Sequence, residues 1–354
     1  MKKPLLGISQ GDPNGVGLEV IIKTFQHEFL FENCVPILYA NPKTFAIHKS
    51  QLNIEKPNYV LIRDVSEAKQ NQLNLIVSSQ ESFNVNFGKV DDNAGKEAFL
   101  ALNRMMQDVK AGKLDIIVTA PLDKSTVKIE QGFTGHTGFI TQFLNQSESL
   151  MVLYNDDIKV GLITEHIPIS KISQTLNKDL IVRKLKIAHE SLKIDFGIAK
   201  PKIAVLGLNP HNGDNGKMGN EENEIIIPAI NEAKENGVFC MGPYSADGFF
   251  GMKQYTQFDL VMSMYHDQGL IPFKSMAFDD GVNFTAGLSI VRTSPDHGTA
   301  YDIAGKNIAS NLSFTNAVFE GIKSFHTRNE SNAFLENPLK FSELKRERFR
   351  LEKG

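Results

Sequence analysis

The sequence predicts an α/β protein with two lobes and mostly parallel sheets, and three observations predict it. Short apolar, β-branched runs alternate with helical patterns along the chain, as strand–helix–strand units do. Several of these runs are apolar throughout instead of at every second position, which suits parallel strands buried on both faces. At 354 residues the chain also exceeds the roughly 250 to 300 at which a single core stops growing.

Taken in order, strands are predicted at 4–9, 35–40, 59–62, 73–77, 115–120, 150–154, 160–164, 203–208, 260–264 and 288–291, each a run of Val, Ile, Leu, Tyr or Met. Helices are predicted at 15–30, 95–111, 180–194 and 223–236, where apolar residues return at helical spacing. The charge-rich stretch 334–354, around Glu343-Leu344-Lys345-Arg346-Glu347-Arg348, reads as a solvated terminal helix. There is no internal repeat and no low-complexity segment.

Apolar content of 41%, charged content of 22% and a net charge of -3 leave no basic excess, so nucleic acid and anionic membrane are excluded as main partners and a small molecule is expected. The N-terminus reaches Ser9-Gln10-Gly11-Asp12 too early for a signal peptide, and no apolar run approaches the ~20 residues of a membrane span. The two cysteines, Cys34 and Cys240, stand in core-like contexts without ligand spacing, which suits a reduced, cytoplasmic protein.

The first strand leads into Gly11-Asp12-Pro13-Asn14-Gly15-Val16-Gly17, a turn of the kind that can cradle an anion at a helix N-terminus. A Rossmann site would also need an acidic residue at the end of the second strand, and that strand ends Leu38-Tyr39-Ala40-Asn41. The fold is therefore not Rossmann, and a tight strand-to-helix turn is the favoured reading.

Three of the nine histidines, His166, His211 and His266, each follow directly on an apolar strand. Ligands gather outside the carboxyl ends of strands in α/β sheets, so these imidazoles could converge on a metal and leave positions open for water or substrate. Asp267 could be a fourth ligand or a carboxylate that orients the neighbouring imidazole. His136, in Gly135-His136-Thr137, could donate to an anionic substrate, with Thr137 capping the helix that starts there. Lys274, Asn283 and Arg292 punctuate an apolar region; the Lys and Arg could be surface charges, or the three together could hold a phosphate or carboxylate, for which Arg's planar fork is suited. Asp247, Asp267 and Lys124 are candidates for the general base and acid, and Asp247 reads equally well as a turn carboxylate.

These phrases, together with Leu208-Asn209-Pro210-His211, Asp247-Gly248-Phe249-Phe250, the run from Tyr265 to Lys274 and the run from Arg292 to Ala300, resemble the 4-hydroxythreonine-4-phosphate dehydrogenase family over residues 7 to 317. The resemblance implies oxidation of a C3 hydroxyl with NAD or NADP, followed by decarboxylation to 3-amino-2-oxopropyl phosphate in pyridoxal phosphate biosynthesis. It implies a divalent metal held by His166, His211 and His266, zinc being favoured over cobalt or magnesium. It implies substrate contacts from His136, Thr137, Lys274, Asn283 and Arg292, in a homodimer whose sites are shared between subunits.

A wider resemblance links the run from His297 to Ala309 to the loop with which isocitrate and isopropylmalate dehydrogenases hold the adenine end of the cofactor. It implies their fold and cofactor contacts by His297 and Gly298. Tyr301 stands where those enzymes usually have Pro, and Ser310-Asn311 where they have Asn-Pro, which leaves Asn311 without a role; Asp123 departs from the first family's wording. The implied lobes are 1–135 with 285–354, carrying the cofactor loop, and 136–284, carrying the metal ligands, with the site in the cleft and at the dimer interface. Rival expectations are the same chemistry on threonate or erythronate 4-phosphate, a metal-dependent hydrolase, and a non-catalytic metal-binding protein.

Overall fold

A computed structural model of the chain describes residues 3–336 apart from Ser82 and Gln131. The expected tail helix at 334–354 falls mostly outside the described residues. Twelve strands are found among them: β1 Leu5–Ser9, β2 Val35–Ala40, β3 Tyr59–Ile62, β4 Leu73–Val77, β5 Ile116–Thr119, β6 Leu150–Tyr154, β7 Lys159–Leu162, β8 Ile203–Leu206, β9 Cys240–Tyr244, β10 Leu260–Ser263, β11 Val282–Ala286 and β12 Val291–Pro295. They form one sheet in the order β3-β4-β2-β1-β5-β12-β11-β6-β7-β10-β8-β9.

The expected α/β architecture with mostly parallel pairing is present. The run from β3 to β12 is parallel, and so is the run from β7 to β9. Antiparallel pairs occur only between these runs, where β11 opposes both β12 and β6, and β6 opposes β7. Parallel strands need both faces covered, and β2 and β5 are buried at every residue. The helix Asp92–Lys110, capped by Asp91 through the amide of Asn93 at 2.8 Å, packs on β1 and β2. The helix Leu312–Glu336 covers β12, β5 and β11, and His266–Ala277 covers β6, β7 and β10.

Three sequence expectations are corrected. The run 288–291 is mostly the turn between β11 and β12, with Leu288 and Ile290 buried as packing residues. Strand β9 was not expected; it contains Gly242-Pro243 and lies at the edge of the sheet, where a proline is tolerated. The helix expected at 15–30 is two pieces, Gly17–Thr24 and Leu30–Asn33. Both cysteines are free and buried, and no helix among the described residues is long and apolar enough to cross a membrane.

Candidate active site

A cavity of about 890 Å³ opens over the middle strands, where the antiparallel members interrupt the sheet. Its floor is Arg292 on β12, only 2% exposed. The guanidinium donates to the hydroxyls of Thr119 at 2.7 Å, Thr285 at 2.8 Å and Thr137 at 3.5 Å, while its Nε–H has no partner. No carboxylate accepts from it among the described residues. Burial pulls its pKa down to about 10, with the Glu165 charge acting against that. A buried cation held only by neutral hydroxyls is costly unless an anion completes its shell.

Further unsatisfied groups stand around the same cavity. His136, the first residue of the helix His136–Phe143, has a buried Nε2 without a partner; burial and the Arg292 charge lower its pKa to about 3, so the ring is neutral. Thr137 does not cap this helix: the N-cap is Gly135, and the threonine hydroxyl turns to Arg292 instead. Asn283 on β11 has a buried Oδ1 with no partner, and the Nε2 of His297 is in the same condition. Lys274 reaches in from the helix His266–Ala277 and pairs with Asp296 at 3.4 Å, whose own pKa is raised by burial.

The strand order puts β7, β10 and β8 side by side and parallel, so the chain delivers His166, His266 and His211 to the same end of the sheet. His166 and His266 come together, with ring centroids 5.6 Å apart at the cavity mouth. Asp267 Oδ1 lies 2.7 Å from His266 Nδ1, which leaves Nε2 as the free ligand atom and makes Asp267 an orienting partner. Burial lowers the pKa of His166 against the pull of Glu165, favouring the neutral ring that binds metals. Two neighbouring imidazoles are the donor type a transition metal prefers, and they fit one half of a ligand shell. His211 does not join them within one chain: it is exposed and does not line the cavity. No set of three possible ligands closes around a single point among the described residues.

His211 opens a turn in which six consecutive residues, 211–216, have φ between 41° and 93°. Left-handed backbone costs roughly 1–2 kcal/mol for each residue other than glycine. Asn and Asp tolerate it best, and Gly213 is required twice over, since at φ 78° a Cβ would also meet Glu222 Oε2 at 2.7 Å. Asp247 is likewise outside the cavity and exposed; the Ser245 hydroxyl, donating to it at 2.7 Å, and the Gly248 amide lower its pKa, and it lies near His211. Lys124 does line the cavity, beside Asp123, which accepts from the amide of Ser125 at 2.8 Å and so stabilises its own turn.

The turn at 11–17 is the strand-to-helix connection favoured from the sequence. Residues 11–20 are all buried, and the Val16 amide donates to Thr299 O at 3.0 Å, so the 297–309 loop covers this helix N-terminus. The approach is close: a Cβ on Gly15 would meet Thr299 O at 2.7 Å. Tyr301 donates to the buried Asp12 at 2.8 Å, and Glu19 accepts from the Ala309 amide at 3.0 Å, fixing the loop at both ends. His297 and Gly298 begin this loop and line the cavity. Asn311 turns away toward Thr24 and Thr315.

Sequence reasoning missed Thr119 and Thr285, because threonine in a strand is ordinary. It also missed Glu165 and the buried Lys184, which faces Glu165 at 3.9 Å and Glu148 at 4.0 Å; the position of Glu165, next to His166 at a strand end, was the available signal.

Comparison with known proteins gives a consistent picture. Residues 32–320 match the family model described as pyridoxal phosphate biosynthetic protein PdxA. A 4-hydroxythreonine-4-phosphate dehydrogenase of Bacteroides thetaiotaomicron is 50% identical over 337 residues, 95% of this chain and 92% of that protein. A protein of Oceanobacillus iheyensis named "Putative D-threonate 4-phosphate dehydrogenase" is 36% identical, over 92% of this chain and 99% of its own length. The crystal structure of 4-hydroxythreonine-4-phosphate dehydrogenase from Klebsiella pneumoniae superposes with a TM-score of 0.79 at 31% identity, over 91% of this chain and all 100% of that one. Isocitrate dehydrogenase from Methylococcus capsulatus shares the fold at a TM-score of 0.51 and 12% identity, over 94% of this chain and 89% of its own.

Proposed function

This chain belongs to the family of the pyridoxal phosphate biosynthetic protein PdxA and is a dehydrogenase, and from that premise we propose that it oxidises and decarboxylates 4-phosphohydroxy-L-threonine to 3-amino-2-oxopropyl phosphate. A nicotinamide cofactor and a divalent metal belong to this chemistry. In the reaction a hydride leaves C3 for the nicotinamide and the C3 hydroxyl loses its proton. The resulting ketone is β to the carboxylate, which leaves from C2 as CO2, and C2 takes up a proton.

The observation that carries the reading is Arg292: among the described residues it is a buried guanidinium with no carboxylate partner and a free Nε–H, at the bottom of a cavity that also holds the unsatisfied atoms of His136 and Asn283. Arg292 and His136, with Thr137 and the amide nitrogen of Asn283 as further donors, would bind the phosphate, and Lys274 would hold the substrate carboxylate. His166, His266 and His211 would hold the metal, proposed to be zinc, with cobalt or magnesium as replacements. When bound, the metal supplies a Lewis acid that favours loss of the hydroxyl proton. Lys124 stands in the cavity and is the proposed proton carrier; Asp267 orients His266. Asp247 lies beside His211 and would enter the site with it. His297 and Gly298 would contact the cofactor, NAD or NADP.

A homodimer with shared sites accounts for His211 and Asp247 lying outside the cavity of their own chain. Residues 1–135 with 285–354, and 136–284, are the proposed lobes, with β11 at their seam, and the cytoplasm is the proposed location. A second reading is oxidation of threonate or erythronate 4-phosphate, and the name of the relative from Oceanobacillus iheyensis supports its threonate form. Incubation of the metal-loaded enzyme with NAD and each substrate in turn, following NADH and CO2, decides between them. The amino acid phosphate is expected to give both products; turnover of threonate 4-phosphate alone would establish the second reading, and hydrolysis without NAD would overturn both.

A further inference from the structure

We propose that Glu222 is the positioning residue for His211, acting through the left-handed turn at 211–216. The inference rests on the reading of His211 as a ligand of the divalent metal. Glu222 is 1% exposed and opens the π-helical turn Glu222–Ile226 that leads into the helix Ile227–Glu235. Its Oε1 accepts from the backbone amides of Leu208 at 2.8 Å and Asn209 at 2.7 Å, and its Oε2 accepts from Asn209 Nδ2 at 2.9 Å. The turn itself closes on the same carboxylate, since the bare Cα of Gly213 is what leaves room for Oε2. One buried carboxylate therefore holds the entry to the turn by hydrogen bonds and lies directly against its middle.

The rest of the neighbourhood points the same way. Gln268 donates to Gly207 O at 2.6 Å and accepts from the Met264 amide at 2.7 Å, so the strand ends that deliver His211 and His266 are tied together. Asn212 Nδ2 donates to Pro243 O at 2.9 Å, which anchors the turn to β9. Left-handed conformations of this length persist only where the surroundings over-determine them. A strained ligand loop clamped from beneath presents its imidazole in one orientation, the role that outer-shell partners play at metal sites.

The test uses the full-length enzyme, stripped of metal and titrated with Co²⁺ against a chromophoric chelator, with NAD affinity and thermal midpoint measured alongside. In Glu222→Gln an amide NH2 replaces one acceptor oxygen, and Co²⁺ affinity is expected to fall about 10- to 100-fold with NAD affinity unchanged. Gly213→Ala keeps the carboxylate's chemistry but pushes a Cβ against its Oε2 and strains the turn, and it is expected to cause the same loss, which keeps the test decisive should Glu222→Gln fail to fold. Wild-type Co²⁺ affinity in the folded variants overturns the proposal, and so does a parallel loss of metal and NAD affinity. His211→Ala separates the two levels: if it binds Co²⁺ like the wild type, the ligand reading beneath the proposal is the one that fails.

Discussion

Arg292 Nη2 donates to the hydroxyl of Thr119 at 2.7 Å, a neutral partner for a cation that the fold has taken out of water. The pairing fixes the guanidinium plane without neutralising it, so its charge is left for a ligand. Arg292→Lys keeps the charge but loses the fork. Each charge-assisted bond is worth roughly 1.5–3 kcal/mol, so KM for the phosphorylated substrate is expected to rise about 10- to 150-fold. Steady-state kinetics check this, and an unchanged KM would remove Arg292 from the anion site.

Asp267→Asn addresses the metal through orientation. The carboxylate lies 2.7 Å from His266 Nδ1 and sets which ring nitrogen is free. Metal affinity is expected to drop about 10- to 100-fold, with the amide unable to enforce one tautomer. Chelator competition measures it; retention of wild-type affinity would show that His266 needs no such partner.

Tyr301→Phe releases the loop that begins at His297. The buried Asp12 then keeps only the Asn14 amide at 2.8 Å as donor to its side chain. Leaving a buried acceptor short of a partner costs about 1–3 kcal/mol, so stability is expected to fall by that order and KM for the nicotinamide cofactor to rise severalfold while substrate KM holds. Denaturant unfolding and kinetics with each substrate varied separate the two effects. A rise confined to substrate KM would detach the loop from the cofactor.

His48 makes stability sensitive to acid. Burial lowers its pKa from 6.5 to about 4, and its neutral ring donates Nε2–H to Pro13 O at 2.8 Å. Below pH 6.5 the unfolded chain takes up a proton that the folded chain refuses, so stability present above that pH is lost as pH falls toward 4. The shift corresponds to about 3 kcal/mol. In His48→Gln, which retains a donor and does not titrate, the unfolding free energy should fall less steeply over this range in urea titrations at stepped pH. Identical slopes for the two proteins would refute the assignment.

Most strands were legible because burial on both faces makes them continuous apolar runs, as in β2. The pair β11 and β12 was not, and the reason lies in the site. Asn283, Thr285 and Arg292 interrupt the apolar pattern because they face the cavity or its buried guanidinium, so the residues that make the site hide the strands that carry it. The three histidines were legible as strand ends, which places them along the sheet but does not aim them. The direction of His211 is set by backbone in a left-handed turn and by Glu222, fourteen residues after Leu208. The sequence Asn212-Gly213-Asp214-Asn215-Gly216 showed only that the backbone could adopt unusual angles.

Strand β11 bonds to β12 on one side and to β6 on the other, so the sheet has no gap across which its two parallel runs could swing like doors. The two runs are joined through β11 and β6, so any change in their relative twist passes through those two strands. Asn283 and Thr285 lie on β11, and Arg292 is held by Thr285. An anion held by these residues would therefore sit on the strands that join the two parallel runs, and its grip would be coupled to any change in their relative twist.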